Sequence, residues 1–153
     1  ASYFITGHYE EALDAAAKVL AEENFAGMKH HRATTRLIQL MIYLEMGNDE
    51  MLEHVVLSAQ RYLKSRQYFY ELEKHFLQFF SKLSHEYNEK DRLPIYRKMH
   101  EDLLQLVNDD PDQRTPLQWF NLLCWVEAKA KGKQLKEVYR HANFSKNYEA
   151  VKN

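Results

Sequence analysis

The sequence predicts an all-α protein built from antiparallel helical hairpins that stack into a right-handed superhelix. Glycine and proline number only 4 and 3 among 153 residues, too few for the turns of a β-sandwich or barrel. Apolar residues recur at helical spacing along most of the chain. A motif around residue 47 also repeats one that lies 40 positions earlier, and such periods are typical of helical repeats.

Both copies of this motif predict a helix, a tight turn and a second helix. Apolar spacing stops at Met46, and Gly47 supplies a residue that tolerates positive φ. Asn48 or Asp49 can then cap the next helix, with Glu50 in its first turn. The equivalent pairs are Tyr3 and Tyr43, Phe4 and Leu44, Gly7 and Gly47, Glu10 and Glu50, and Ala12 and Leu52.

Apolar periodicity and the positions of Gly, Pro and capping residues set the order of the helices. The predicted helices cover residues 2–6, 8–20, 28–46, 49–64, 66–87, 93–107, 115–131 and, more weakly, 135–142. Pro94 is expected in the opening turn of its helix, where its missing N–H costs little. Residues 143–153 are expected to fray. Because residues 2–6 resemble only the last turns of a helix, we expect either a piece of a longer protein or a stub.

The strongest apolar stripe predicts the centre of the array. It consists of Phe69, Leu72, Phe76, Phe79, Phe80 and Leu83. Phe76 and Phe80 lie one turn apart within it, so we expect both to be buried. No low-complexity linker interrupts the chain, and residues 1–153 are therefore predicted to form a single domain.

Composition narrows the location and the chemistry. No apolar run approaches the roughly 18 residues of a membrane span, and no secretory pattern opens the chain. A single cysteine cannot form an internal disulfide. These features predict a soluble, cytoplasmic protein, with a periplasmic location as the open alternative. The net charge is −1, but the charge is unevenly distributed. The C-terminal tail, residues 129–153, is basic, since it contains seven Lys or Arg and only two acidic residues, Glu137 and Glu149.

The segment Gly7-His8-Tyr9-Glu10-Glu11-Ala12-Leu13 resembles the turn and second-helix start of a tetratricopeptide repeat, in which Gly-x-Tyr-x-x-Ala recurs. Later segments, at 43–48, 61–64 and 119–129, are similar to the C-terminal part of uncharacterised bacterial repeat proteins of this kind. The 40-residue period exceeds the usual 34, which predicts longer and irregular hairpins. The resemblance implies a superhelical scaffold for protein–protein contacts, with no catalytic residues to carry over.

The residue types that carry catalysis or bind metals do not form a recognisable site. None of the 8 histidines is spaced i, i+3 or i+4 from another, as a helical metal site requires. Cys124 stands among Leu, Trp and Val, which predicts a buried and inert thiol. Gly-rich phosphate-binding motifs are missing. We therefore expect neither an enzyme nor a cofactor.

Two features favour a nucleic-acid-associated or regulatory module as the alternative function. One is the basic tail. The other is the aromatic run Tyr68-Phe69-Tyr70 beside Arg61, Lys64 and Arg66, which offers stacking surfaces next to cations. Solvation of a terminal helix and packing of the joint explain both features more simply, so nucleic acid is the less favoured partner.

The leading expectation is a groove for a protein or peptide partner. In stacked hairpins the first helix of each pair lines the concave side, here the helices near 28–46, 66–87 and 115–131. The predicted groove residues are Lys29, Arg32, Arg36, Gln39, Tyr43, Tyr70, Lys74, Gln118, Asn121 and Trp125. Fixed cations, amides and aromatic rings suit an acidic or C-terminal peptide. Arginines that pair with Glu on neighbouring helices are an equally weighted alternative.

A second contact surface is expected at the N-terminal edge. Tyr3, Phe4, Tyr9 and Leu13 belong to a hairpin whose first helix is mostly missing. Repeat arrays need polar caps at their ends, so this edge is predicted to self-associate.

Overall fold

The computed structural model describes residues 1–22, 29–66 and 70–140, and all regular structure within these ranges is helical. The α-helices are α1 (Ser2–Ile5), α2 (Tyr9–Ala21), α3 (Lys29–Glu45), α4 (Asp49–Lys64), α5 (Glu71–Leu83), α6 (Glu89–Asp109), α7 (Leu122–Lys131) and α8 (Leu135–Val138). A 3₁₀ helix, Pro111–Gln118, lies between α6 and α7. The predicted all-α class is confirmed. The tetratricopeptide-like stacking stays a prediction.

The chain divides into two compact units, unit 1 with residues 1–69 and unit 2 with residues 70–153. The single domain expected from the sequence stays a prediction. Several expectations concern residues outside the described ranges: the connector at 24–27, the start of a helix at Met28, the aromatic pair Tyr68 and Phe69, and the frayed tail at 143–153. None of the described helices is both long enough and apolar enough to cross a membrane.

Unit 1 is a succession of helices in which each packs on the next: α1 on α2, α2 on α3, and α3 on α4. Its core comes from the apolar faces of α3 and α4, with Leu37, Leu40, Leu52 and Leu63 among the buried residues. Burial of these four side chains supplies roughly 1.5–3 kcal/mol each, before the cost of ordering the chain. Because these residues are buried, this packing determines which side of α3 faces α2 and α4.

The two predicted glycine turns of unit 1 have the same backbone geometry. Gly7 has φ 81° and Gly47 has φ 68°, so the predicted positive φ is confirmed at both. The glycine N–H donates to the C=O three residues back at 3.1 Å in each turn. The following N–H donates to the C=O five residues back, at 2.8 Å in the first turn and 3.1 Å in the second. Both turns therefore end their helices with the same left-handed cap.

At the N-terminal edge the predicted apolar residues are only partly covered. Phe4 is buried and its ring lies 6.0 Å from that of Tyr9, whereas Tyr3 is 51% exposed. The self-association expected of this edge stays a prediction.

Unit 2 is built around the indole of Trp125. Its ring centroid lies 5.5 Å from that of Phe80, 6.2 Å from that of Phe76 and 5.9 Å from that of Tyr96. Phe76 and Phe80 stack on each other at 4.8 Å, and both are fully buried. The prediction that these two phenylalanines lie in a core is confirmed. Such aromatic pairs add about 0.5–1.5 kcal/mol each beyond the burial of their area.

Several helix boundaries in unit 2 differ from the prediction. The helix expected over 66–87 is α5, which begins at Glu71 and ends at Leu83, and the last helix, expected over 135–142, ends at Val138. Helix α6 begins at Glu89, because the Asn88 side chain accepts a hydrogen bond from the N–H of Lys90 at 2.9 Å. Pro94 therefore lies inside the helix and not in its opening turn. The continuous helix expected over 115–131 is wrong: residues up to Gln118 form the 3₁₀ helix, and α7 starts only at Leu122. Pro116 has no N–H for an α-helical hydrogen bond, which explains the interruption.

Candidate functional site

The predicted groove residues are distributed over both units. In unit 1, all five lie on α3, where Lys29 is exposed and the other four are half-buried. In unit 2, they lie on three elements or at their ends. In unit 1, the structure brings Arg36 close to two further side chains, those of Tyr62 and Arg66.

Arg36 of α3 contacts Tyr62 of α4. Its guanidinium carbon lies 4.1 Å from the centroid of the tyrosine ring, and that of Arg66 lies 4.4 Å from the same centroid. Both contacts are cation–π interactions, and they hold two cations beside one ring. We call Arg32, Arg36, Arg66 and Tyr62 the arginine cluster.

Arg32 completes the cluster and contacts the end of α2. Its two terminal nitrogens donate to the carbonyl oxygens of Leu20 at 2.9 Å and Glu22 at 3.1 Å. The last carbonyls of a helix have no partner within the helix, so Arg32 satisfies two acceptors that would otherwise need water. Arg32 thus has a structural role. Its partners are backbone carbonyl oxygens, whereas the alternative drawn from the sequence was an ion pair with a glutamate of a neighbouring helix.

Among the residues that the structure describes, the arginine cluster has no balancing negative charge. Within the described ranges, no carboxylate lies at ion-pair distance from Arg32, Arg36 or Arg66. The Nε atoms of Arg32 and Arg36 and the Tyr62 hydroxyl are buried there without a hydrogen-bond partner. Buried donors of this kind cost free energy until an acceptor reaches them.

The pKa of Arg36 reflects this setting. Burial lowers it, the nearby Tyr62 hydroxyl raises it without reaching hydrogen-bond geometry, and the charges of Arg32 and Arg66 lower it further. A guanidinium still stays protonated near neutral pH. The cluster therefore holds several positive charges that are partly shielded from water. Because the effective dielectric constant is lower there than in bulk water, an anion is attracted more strongly than it would be by fully exposed arginines.

Charge is also segregated along the hairpin that α3 and α4 form. The end where α3 begins and α4 finishes carries Lys29, Arg32, Arg36, Arg61, Lys64 and Arg66. The end at the Gly47 turn carries Glu45, Asp49, Glu50 and Glu53. Lys29 and Arg32 stand in the first turn of α3, where the helix dipole disfavours cations. The hairpin is thus basic at one end and acidic at the other.

Gln39 and Tyr43 continue the face of α3 from Arg32 and Arg36 towards the Gly47 turn. With a rise of 1.5 Å per residue, the stripe from Arg32 to Tyr43 is about 16 Å long. Both side chains are half-buried, and neither makes a side-chain hydrogen bond to another residue in the described part of unit 1. They offer an amide and a hydroxyl beside the cations.

In unit 2, the structure removes two predicted groove residues from solvent. Asn121 and Trp125 are each 1% exposed, so neither lines an open surface, and their proposed roles as amide donor and aromatic wall are corrected. The Asn121 side chain instead donates to the carbonyl of Arg140 at 3.1 Å. Every residue from 122 to 128 is buried, because α7 is packed on all sides.

The other three unit 2 residues have separate local environments. Tyr70 is the N-cap of α5, and Lys74 forms an exposed ion pair with Glu71 at 2.7 Å. Gln118 is exposed at the end of the 3₁₀ helix. These surroundings differ from one another, whereas Arg36 and Arg66 share a contact with the Tyr62 ring.

The remaining candidates for chemistry have structural surroundings. Cys124 is fully buried, and burial raises the pKa of its thiol, as expected for an inert cysteine. No group of three or more His, Cys, Asp or Glu residues in the described ranges is arranged to hold a metal. In the described part of the basic tail, Lys131 and Arg140 pair with Glu127 at 3.0 and 2.9 Å.

Sequence reasoning placed Arg32 and Arg36 in the groove and Arg66 beside the aromatic run, but it gave Tyr62 no role in a site. The available signal was the i, i+4 spacing of Tyr62 and Arg66, together with a hairpin that returns the end of α4 to the start of α3. Comparisons with family models, curated proteins and solved structures return no significant match to this chain.

Proposed function

We propose that this chain is a non-enzymatic scaffold that binds an acidic segment of another protein through the arginine cluster. The observation that carries the proposal is the group of three half-buried arginines without a carboxylate partner in the described residues. An incoming anion would satisfy their unused donors and balance their charge. Charge-assisted hydrogen bonds to guanidinium are among the strongest in proteins.

The repeated hairpin supports a scaffold role. The turns at Gly7 and Gly47 share φ and hydrogen bonding, as expected of two copies of one structural repeat. The resemblance to tetratricopeptide repeats implies that α3, as the first helix of its pair, lies on the binding side. Two members of the arginine cluster, Arg32 and Arg36, lie on this helix.

Binding of labelled acidic peptides tests the proposal. A panel of Glu- and Asp-rich peptides, each with its Gln and Asn counterpart, is titrated with the whole chain and followed by fluorescence polarisation. We expect binding of acidic members only, and loss of at least tenfold in affinity in the double variant Arg36→Gln with Arg66→Gln. The matched control, Lys18→Gln with Lys133→Gln, removes the same charge from exposed sites and should bind normally.

Two outcomes would overturn the proposal. One is equal binding by the double variant and the control. The other is tighter binding of random duplex DNA than of any acidic peptide, with a steep fall in affinity as salt rises, which would favour the nucleic-acid module instead.

A further inference from the structure

We propose that the anchor recognised by the arginine cluster is a phosphorylated side chain within the partner segment. This inference rests on the proposed function and specifies its ligand. It starts from the positions of Arg36 and Arg66, whose guanidinium carbons lie 4.1 and 4.4 Å from the same ring centroid of Tyr62. Both cations contact this one ring, and a phosphoryl group bound beside it would balance both charges.

The number of cations favours a phosphoryl group over a carboxylate. A carboxylate carries one charge and is satisfied by one guanidinium, which binds it through two parallel hydrogen bonds. A phosphorylated side chain carries about −1.5 to −2 at pH 7 and offers three acceptor oxygens. Arg36 and Arg66 supply two positive charges and several donors for this larger anion. Arg32 adds a third positive charge nearby, while its terminal nitrogens bond to Leu20 and Glu22.

The rest of the α3 face favours a peptide over a free phosphate compound. Beyond the cluster, Gln39 and Tyr43 extend the stripe to about 16 Å, the length of roughly five extended residues. A side-chain amide and a hydroxyl suit the backbone groups of an extended segment. A small phosphate compound would leave this part of the face unused.

The segregated charge of the hairpin adds a rule about the flanking residues. Past Tyr43 the ligand meets the acidic end, with Glu45, Asp49 and Glu50. Acidic residues on that flank are repelled, whereas neutral or basic ones are tolerated or favoured. The preferred segment therefore has its phosphate at the arginine end and neutral or basic residues towards the Gly47 turn.

The test uses degenerate nonapeptide libraries with phosphoserine, phosphothreonine or phosphotyrosine at the centre, and matched libraries with the unmodified residue or with Glu. Each labelled library is titrated with the whole chain, and inorganic phosphate is used as a competitor. We expect at least one phosphorylated library to bind tenfold or more tightly than its unmodified and Glu counterparts. Inorganic phosphate should compete only at millimolar concentration, and sequencing of bound peptides should show one flank depleted in Asp and Glu.

Variants link the result to the cluster. Arg36→Gln with Arg66→Gln should remove the preference for phosphate, whereas Lys18→Gln with Lys133→Gln should retain it. Tyr62→Phe should bind almost normally, since the ring still holds the arginines, and Tyr62→Leu should bind weakly. Thermal melting of each variant separates loss of binding from loss of folding.

Each remaining outcome has a distinct meaning. Glu peptides that bind as tightly as phosphorylated ones overturn the phosphate inference and leave the acidic-segment function standing. Inorganic phosphate that binds as tightly as any phosphopeptide overturns the peptide ligand. Failure of every acidic and phosphorylated library overturns both proposals.

Discussion

The guanidinium of Arg36 lies 4.1 Å from the centre of the Tyr62 ring, and this contact joins α3 to α4 at the basic end of their hairpin. Cation–π contacts contribute about 0.5–1 kcal/mol when exposed and about 2 when desolvated. Because Arg66 approaches the same ring at 4.4 Å, Tyr62 holds two like charges close together. The ring stabilises a local charge density that the arginines alone would avoid.

Tyr62→Leu is expected to destabilise unit 1 by about 1–2 kcal/mol, because both cation–π contacts are lost and two guanidinium groups are left close together. Tyr62→Phe keeps the ring face and removes a hydroxyl that has no hydrogen-bond partner, so its effect should stay within about 0.5 kcal/mol. Urea denaturation measures both. Equal destabilisation by the two variants would show that the hydroxyl, and not the ring, is responsible.

Arg32→Ala is expected to cost about 1–3 kcal/mol of stability, since it leaves the carbonyls of Leu20 and Glu22 without their charged donor. Lys29→Ala, which removes an exposed cation from the same helix turn, should change stability by less than about 0.5 kcal/mol. An Arg32→Glu variant is therefore expected to lower both the melting temperature and the affinity for an acidic partner. A melt of Arg32→Ala that superposes on that of Lys29→Ala would exclude the capping role.

Gly47→Val is expected to destabilise unit 1 by about 1–2 kcal/mol more than Gly47→Asn, because Asn tolerates the left-handed region and a β-branched residue does not. A Cβ at this position meets no atom within 4 Å, so the difference isolates backbone strain from crowding. Chemical denaturation of the two variants and of Gly47→Ala gives the comparison. The same order at Gly7 (φ 81°) would show that both turns depend on the same cap.

Local signals in the sequence predicted the features that depend on neighbouring residues. A glycine after an apolar stripe, followed by a polar cap, was enough to identify the turns at Gly7 and Gly47. The spacing of Phe76 and Phe80 was enough to predict burial, because a one-sided helix shows its stripe directly.

Features that depend on tertiary packing could not be derived in this way. Helix α7 is buried on all sides and so has no stripe, which is why Trp125 was assigned to an open groove. The 3₁₀ helix around Pro116 replaced a predicted α-helix, because apolar spacing does not distinguish the two over a short segment. The contact between Arg36 and Tyr62 joins residues 26 positions apart, so it needs the register of the α3–α4 hairpin.

Phe76→Ala is expected to destabilise unit 2 by about 3–5 kcal/mol, because the ring is fully buried against Phe80 and Trp125 and its loss leaves a cavity. Phe76→Leu keeps most of the volume and should cost less. Tryptophan fluorescence, to which Trp119 and Trp125 both contribute, is followed through a urea titration and gives the denaturation midpoint. An unchanged denaturation midpoint in the alanine variant would contradict the central position of Phe76.

The carboxyl group of Glu73 predicts an unusual dependence of stability on pH. Glu73 is 2% exposed; one oxygen accepts from the N–H of Tyr70 at 3.4 Å, and the other is buried without a partner. Burial raises the pKa of Glu73 to about 7, although the hydrogen bond from Tyr70 lowers it in part. The folded protein therefore keeps a proton that the unfolded chain, with an ordinary glutamate pKa of about 4.3, releases.

This difference fixes the direction of the effect. Below about pH 4 both states are protonated, and Glu73 causes no pH dependence. Between about pH 4.5 and 7 the folded state binds more protons, so the free energy of unfolding falls as pH rises, by up to about 3 kcal/mol in total. His100 acts in the opposite sense: burial lowers its pKa, so it reduces stability as pH falls below about 6.5.

Glu73→Gln separates the two contributions, because glutamine keeps an oxygen for the Tyr70 N–H and does not titrate. We expect the variant to be more stable than the parent chain at pH 8 and to lose the decline between pH 5 and 7. Urea denaturation at pH 5, 6, 7 and 8, followed by tryptophan fluorescence, measures this. Glu71→Gln, which changes an exposed glutamate of the same helix, should retain the parent's pH profile. A Glu73→Gln profile parallel to that of the parent would show that Glu73 titrates normally in the folded state.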